Sequence, residues 1–277
     1  MNTAIDTPSP EQLARYRQLL RQLEGYGSAA LAFSGGVDSA LLLYAAREAL
    51  ADQLLAVTVR SCLFPQRELD EAQALCRSLG VHHLVIDFDC LQLEAFSANP
   101  ANRCYLCKLE LLGMVKEQAT AQGISVVMEG SNLDDLADYR PGMQAISELG
   151  IASPLRSAGL SKADIRALSR HVGLPSWNKP SLACLASRIA YGEPITAAKL
   201  EMLEKAEQLL VELGFRQVRV RLHGTMARIE VEPSEFQRLV EEDVRTQVTA
   251  AFRSYGFSYV AMDLAGYRSG SMNETLG

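Results

Sequence analysis

Short apolar runs alternate with amphipathic stretches along the first part of the chain. Runs typical of buried strands lie at residues 29–33, 54–59, 81–88 and 125–128. Helical spacing is found at residues 11–26, 65–80 and 103–122. The second stretch ends at Gly80 and the third is followed by Gly123, and glycine favours helix ends. Because strands alternate with helices, the pattern predicts an α/β fold: a parallel sheet with helices on both faces.

The pattern changes near residue 193. Before it, Ser161 and Asp164 frame a capping box for a helix that runs to about residue 171, and a proline-containing loop follows at 174–192. After it come a helix (196–213), two alternating strands (216–222, 227–231), a helix (233–252) and a strand (259–264). We therefore expect two domains, residues 1–192 and residues 193–277, the second a small α+β domain.

Composition and charge narrow the class of protein. The 277 residues carry 27 basic and 33 acidic side chains, a net charge of −6, which disfavours a nonspecific nucleic-acid binder. No apolar run approaches 18 residues, and the polar N-terminus lacks the apolar centre of a signal peptide. We therefore expect a cytoplasmic protein without a membrane span, whose six cysteines are reduced thiols.

A glycine-containing hexapeptide joins the first predicted strand to the helix that begins at residue 37: Ser34-Gly35-Gly36-Val37-Asp38-Ser39. Glycines let the backbone approach a ligand, and the N–H groups of a helix's first turn face an anion. The loop lacks the lysine of the common nucleotide-binding loop. We expect it to bind nucleotide phosphates, with Arg60, Ser61, Asn132 and Asp134, which follow other strands, at the same sheet edge.

The six cysteines fall into two groups. Cys62, Cys76 and Cys90 are scattered singly and are expected to be packing residues. Cys104 and Cys107 form a C-x-x-C, and Cys184 lies in the loop before the second domain. Three thiolates with an open fourth position suit a 4Fe-4S cluster with one unligated iron. The alternative is a redox pair at Cys104 and Cys107, with Cys184 a lone nucleophile.

The hexapeptide resembles the PP-loop of ATP pyrophosphatases, which cleave ATP between its α and β phosphates. Further motifs make the resemblance to the LarE family of ATP-dependent sulfur transferases specific, and it covers nearly the whole chain. These motifs lie at residues 129–135, 138–142, 154–155, 160–166, 173–175, 179–180, 184–189 and 266–270.

The resemblance implies a substrate and a reaction. The substrate is pyridinium-3,5-biscarboxylic acid mononucleotide; ATP adenylates one carboxylate, pyrophosphate leaves, and sulfur replaces the activated oxygen in making the nickel-pincer nucleotide. Mg²⁺ is expected at Asp38 and Asp134, with Asp135 as a substitute. In one branch the cysteine at the Cys184 position gives up its own sulfur. This chain matches the other branch, whose three cysteines hold a 4Fe-4S cluster that carries sulfide. A homo-oligomer is also implied, while the sulfide donor is unidentified.

The same resemblance assigns further site residues. Gly130 and Asn132 are placed with ATP, and Ser187 and Arg188 beside Cys184. Arg219 and Arg221 share one face of a strand and suit a substrate phosphate; Glu207 is a weaker candidate for the same site. The alternative for the two arginines is a cross-strand ladder with Glu230 and Glu232.

Other functions compete with this one. A PP-loop tRNA thiolase can also carry three cysteines and a cluster, but a basic surface is expected of it and this chain is acidic. An amidating synthetase leaves the cysteine triplet unexplained. A nucleotide-binding regulator without activity is disfavoured by the intact serines and Asp38 of the loop.

Overall fold

The computed structural model describes residues 8–137, 142–180 and 183–268. The described chain forms two compact units that are interleaved in sequence. Of the described residues, those within Met1–Ser61, Gln66–Phe88 and Cys104–Leu182 form the first unit. Those within Cys62–Pro65, Asp89–Arg103 and Ala183–Gly277 form the second. The domain boundary predicted near residue 193 stays a prediction.

The first unit is built on a parallel sheet of order β3-β2-β1-β4. Its strands are β1 (Ala29–Ala32), β2 (Leu54–Arg60), β3 (His82–Asp87) and β4 (Val127–Met128). In the central register Ala30 lies between Leu55 of β2 and Val127 of β4. The predicted parallel sheet flanked by helices is confirmed.

Helices cover this sheet and close its core. They are α1 (Pro10–Glu24), α2 (Val37–Leu50), α3 (Gln66–Leu79), α5 (Arg103–Ala121), α6 (Gly142–Glu148), α7 (Pro154–Ser157) and α8 (Lys162–His171), while α4 (Glu94–Ser97) belongs to the second unit. Helix α2 is apolar nearly all round because it packs against sheet and helices together. Its Leu41 is fully buried with Leu19, Leu31 and Ile165 in one cluster.

The second unit carries a three-stranded sheet of order β5-β6-β7. Strands β5 (Val218–His223) and β6 (Met226–Val231) form an antiparallel hairpin, and β7 (Tyr259–Met262) pairs parallel with β6. Helices α9 (Ala197–Glu212), α10 (Phe236–Val240) and α11 (Glu242–Tyr255) complete it. The predicted small α+β region is confirmed.

One helix prediction needs correction. Residues 233–252 were expected to form one helix, but the chain makes a short 3-10 turn, then α10, and breaks at Glu241 before α11. Glu241 has an extended ψ of 141°. The Arg238 side chain of α10 bonds the carbonyl of Gly214 at 3.2 Å and stacks on Phe215, so tertiary contacts fix α10 separately. Among the described residues, no helix is both long and apolar enough to cross a membrane.

Candidate active site

The loop from Ser34 to Ser39 has the geometry of an anion cradle in the first unit. Gly35 adopts a φ of +72°, which strains any residue with a side chain, and a Cβ there would crowd the Ala72 Cβ at 3.3 Å. Gly36 is the N-cap residue of α2 and provides no side-chain cap, which leaves the first-turn amides directed at the loop. The hydroxyls of Ser34 and Ser39 lie 3.0 Å apart.

Lys162 adds positive charge at the N-terminus of α2. Lys162 Nζ lies 2.5 Å from Asp38 Oδ2, and the Asn132 amide donates to Asp38 Oδ1 at 3.3 Å. The Lys162 backbone N–H donates to Asp134 Oδ2 at 2.9 Å. Asp38, Asn132 and Asp134, predicted from three separate segments, are thus brought together around Lys162. In the sequence, that lysine lies within the capping segment and the family motif at residues 160–166, and it was given no role in the site.

Gly130 brings the segment after β4 against the phosphate loop. A Cβ on Gly130 would approach the Ser39 backbone N at 3.0 Å and its Cα at 3.2 Å, so a side chain would force the two segments apart. The neighbouring Asp135 accepts from the Asn132 N–H at 2.9 Å and so takes part in fixing the turn. We infer that Gly130 allows close contact between the two backbone segments, and that Asp135 stabilises the turn that contains it.

A second lysine also missed in the sequence supports the loop from the other side. Lys179 Nζ lies 2.5 Å from both Glu68 Oε2 and Glu71 Oε2 and 3.4 Å from the Gly35 carbonyl oxygen, with 13% of its side chain exposed. The only sequence signal was a Lys-Pro dipeptide in the loop after α8. Its charge is largely balanced by the two glutamates.

Arg60, predicted at the nucleotide site, pairs with an aspartate of the neighbouring strand. It ends β2, and its guanidinium forms two hydrogen bonds with Asp87 of β3, at 2.5 and 2.8 Å. The hydrogen bond from Arg60 holds the pKa of Asp87 below its usual range. Both side chains are exposed, and the contacts described for Arg60 do not include the phosphate loop.

In the second unit, Arg188 organises the turn that carries Cys184. Its guanidinium donates to the carbonyls of Ala183 at 2.7 Å and Cys184 at 3.0 Å, and to Ser187 Oγ at 2.8 Å. Ser187 Oγ in turn donates to the Cys184 carbonyl at 2.8 Å. Arg188 is buried, so its contacts make it a residue that positions Cys184.

Glu207 of α9 balances the charge of Arg188. Both side chains are 3% exposed, and two hydrogen bonds of 2.8 and 2.9 Å join them. Glu207 Oε1 also accepts from the Val220 N–H at 3.0 Å. Burial alone raises the pKa of Glu207, but the charge and hydrogen bonds of Arg188 outweigh it, so that pKa lies below its ordinary value.

The two strand arginines have different surroundings. Arg221 makes a forked pair with Glu230 at 3.0 and 2.9 Å and donates to the Ser187 carbonyl at 3.0 Å. Arg219 is opposite Glu230 in the register, and its guanidinium lies 5.3 Å from the Tyr267 ring centroid. Burial, and then the charge of Arg188, lower the pKa of Arg219 to about 10. An anion beside Arg219 would relieve this destabilisation.

The predicted cysteine ligands lie in both units. Cys104 and Cys107 are one turn apart on α5, exposed and half-buried respectively, and the half-buried Cys184 precedes a 3-10 helix at Leu185–Arg188. No disulfide involves any of the six cysteines, all of which are described. Within the described ranges, no group of three or more histidine, cysteine or acidic side chains is placed to hold a metal. Of the family motifs, residues 138–141 and 269–270 lie outside the described residues.

A parallel sheet whose first strand leads through S-G-G-x-D-S into a helix defines a PP-loop ATP pyrophosphatase. The sequence profile of the family "Queuosine biosynthesis protein QueC" matches residues 28–106, which include this loop. A Lactiplantibacillus plantarum protein named pyridinium-3,5-bisthiocarboxylic acid mononucleotide synthase is 37% identical over 93% of each chain. The chain belongs to the family of that synthase, the LarE family, as its motifs predicted.

Two other relatives extend the comparison. A Synechocystis protein described as uncharacterized is 41% identical over 96% of this chain and 98% of its own length. A Methanocaldococcus jannaschii protein, also described as uncharacterized, is 28% identical over 86% of this chain and 90% of its own. The sequence likeness therefore spans both units. With the match to the named synthase, the prediction of an enzyme of the ATP-dependent sulfur transferase class is confirmed.

Proposed function

We propose that this enzyme adenylates a carboxylate of pyridinium-3,5-biscarboxylic acid mononucleotide with ATP and then replaces the activated oxygen by sulfur. The observation that carries the proposal is the match to the named synthase along 93% of both chains. The PP-loop supplies a place for ATP, and the turn at Cys184 supplies a thiol beside buried arginines.

Adenylation joins a substrate carboxylate oxygen to the α-phosphorus of ATP and breaks the bond to pyrophosphate. We assign the first-turn amides of α2, the hydroxyls of Ser34 and Ser39, and Lys162 to the phosphates. Mg²⁺ is held by one or two carboxylates together with phosphate oxygens in such sites, and Asp38 and Asp134, which both contact Lys162, fit that donor set. Bound Mg²⁺ neutralises charge on the leaving pyrophosphate.

Sulfur transfer forms a carbon–sulfur bond at the acyl carbon and expels AMP. We assign Cys104, Cys107 and Cys184 as ligands of a 4Fe-4S cluster, since three thiols that retain some exposure suit this soft metal centre. When bound, the cluster supplies the sulfide. The competing route uses the Cys184 sulfur itself: its thiolate displaces AMP, and elimination across Cα–Cβ leaves dehydroalanine and the thiocarboxylate.

We assign the substrate phosphate to Arg219, because burial and the charge of Arg188 lower the pKa of its guanidinium and a bound anion would favour its charged form. Arg221 and Arg188 have carboxylate partners and hold the Cys184 turn. This divides the predicted arginine pair into a binding residue and a positioning residue. A cytoplasmic homo-oligomer remains part of the proposal.

The test separates adenylation from sulfur transfer. Anaerobically purified enzyme and the Cys104→Ala, Cys107→Ala and Cys184→Ala variants are assayed for pyrophosphate release, thiocarboxylate, iron and acid-labile sulfide, with Cys76→Ala as the control. We expect every variant to release pyrophosphate, and the three site variants to lose iron and multiple-turnover sulfur transfer. Loss of transfer in Cys184→Ala alone would refute the cluster and support the sacrificial route.

A further inference from the structure

Two cysteines outside the proposed site lie in contact with each other in the second unit. Cys62 Sγ and Cys90 Sγ are 3.8 Å apart, although 28 positions separate them in the chain. Cys62 is exposed, whereas Cys90 is fully buried at the start of the 3-10 helix Cys90–Gln92. They were expected to be scattered packing residues, and their contact arises because both chain segments join the second unit.

This spacing is close to that needed for a disulfide. The two sulfurs are in van der Waals contact, and a disulfide bond of about 2.05 Å requires them to approach by less than about 2 Å. Cys62 lies in the short segment 62–65, outside the helices and strands, where such a movement needs no helix or strand to break.

The segment that contains Cys62 also contacts the turn that contains Cys184. The Leu185 N–H donates to the Leu63 carbonyl oxygen at 2.9 Å. Each residue of this hydrogen bond directly follows one of the cysteines, Cys62 or Cys184. This hydrogen bond offers a route by which a movement of Cys62 would reach the backbone next to Cys184.

We propose that Cys62 and Cys90 form a reversible disulfide that adjusts the Cys184 turn. With hydrogen peroxide as the oxidant, the exposed Cys62 thiolate attacks one peroxide oxygen, giving a sulfenic acid and water. Cys90 Sγ then attacks the Cys62 sulfur, and a second water leaves, so the two thiols lose two electrons and two protons in total. A dithiol reductant reverses the reaction by thiol–disulfide exchange.

Peptide mapping of the full-length protein tests the disulfide without relying on the enzyme's activity. Reduced protein is treated anaerobically with stoichiometric peroxide, quenched by alkylation and digested with trypsin. Trypsin places Cys62 in peptide 61–67, Cys90 in peptide 78–103 and the pair Cys104 and Cys107 in peptide 104–108. We expect peptides 61–67 and 78–103 to be joined, and dithiothreitol to separate them.

Two control variants separate a specific cross-link from a general effect on folding. Cys62→Ser changes an exposed residue and should prevent the cross-link, whereas Cys76→Ala should leave it unchanged. Hydrogen exchange at the Leu185 amide should differ between oxidised and reduced protein. The proposal fails if both peptides stay reduced while peptide 104–108 oxidises, and its link to Cys184 fails if exchange at Leu185 is unchanged. Neither result bears on adenylation.

Discussion

The buried ion pair between Arg188 and Glu207 gives the sharpest stability prediction. Glu207→Ala removes the acceptor of three hydrogen bonds, two from the Arg188 guanidinium and one from the Val220 N–H. The arginine that remains is 3% exposed and would lose its described carboxylate partner. The same guanidinium organises the Cys184 turn, so the loss affects both the fold and the site.

The size of the expected stability loss follows from the burial of the Arg188–Glu207 pair. Removing one partner of a buried ion pair costs about 3–5 kcal/mol. The orphaned Val220 N–H adds about 1–3 kcal/mol unless water reaches it. We therefore expect a loss of about 4–8 kcal/mol in the free energy of unfolding, a large part of the roughly 5–15 kcal/mol that stabilises a typical domain. Glu207→Gln keeps the shape and some hydrogen bonds and should lose less.

Urea denaturation followed by two signals measures this loss. Far-UV circular dichroism reports both units, whereas fluorescence of Trp177, the single tryptophan, reports the first. We expect Glu207→Ala to show an early transition in circular dichroism that the fluorescence signal does not share. The control is Glu201→Ala on the same helix, whose partner Lys205 is exposed, and its transition should match the parent. Equal effects of the two substitutions would refute the assignment of a buried pair.

Three further predictions concern the first unit. Lys162→Met should lower kcat for pyrophosphate release by about 100-fold, because it removes a charge that stabilises the transition state. The control Lys205→Met should have no effect. An unchanged kcat in Lys162→Met would show that Lys162 does not bind the ATP phosphates. Gly130→Ala should raise the KM for ATP because the added Cβ would meet the Ser39 backbone. The control is Gly113→Ala, which has open space in α5 and should stabilise the protein. Equal KM values for the Gly130→Ala variant and the parent enzyme would contradict the close contact. Burial raises the pKa of Asp164, but hydrogen bonds from Gln12 and Ser161 and the charge of Arg15 outweigh it and leave that pKa low. Asp164 therefore stabilises the fold above its unfolded pKa, and this contribution is lost as pH falls below about 4; acid titration of Asp164→Asn should show a flatter stability profile there.

Local patterns in the sequence predicted most of the fold. Apolar runs marked β1 to β4, and the Ser161–Asp164 capping box marked the start of α8, where both capping hydrogen bonds are present. The break at Glu241 was not predicted because no proline or glycine marks it; the contacts of Arg238 with Gly214 and Phe215 decide it. Such contacts join residues distant in sequence and leave no periodic signal.

The candidate site was predicted in part. The glycines and serines of the PP-loop can be recognised in the sequence because their chemistry is local. The sheet-edge rule predicted Asn132 and Asp134 near this loop; Asn132 contacts Asp38, and Asp134 accepts from the Lys162 N–H. Lys162 and Lys179 lie in recognised motifs, but their contacts at the site were missed because a lysine at a helix start or in a loop is usually solvated. The contact between Cys62 and Cys90 was missed because it depends on how two distant segments join one unit.

The most direct test of the account is an analysis of the products of one reaction. The reduced, anaerobic enzyme is incubated with ATP, Mg²⁺ and pyridinium-3,5-biscarboxylic acid mononucleotide, and nucleotides and pyridinium products are identified by mass spectrometry. We predict AMP, pyrophosphate and a thiocarboxylate product, with AMP formation dependent on the pyridinium substrate. Formation of ADP and phosphate, or AMP without the substrate's involvement, would contradict it.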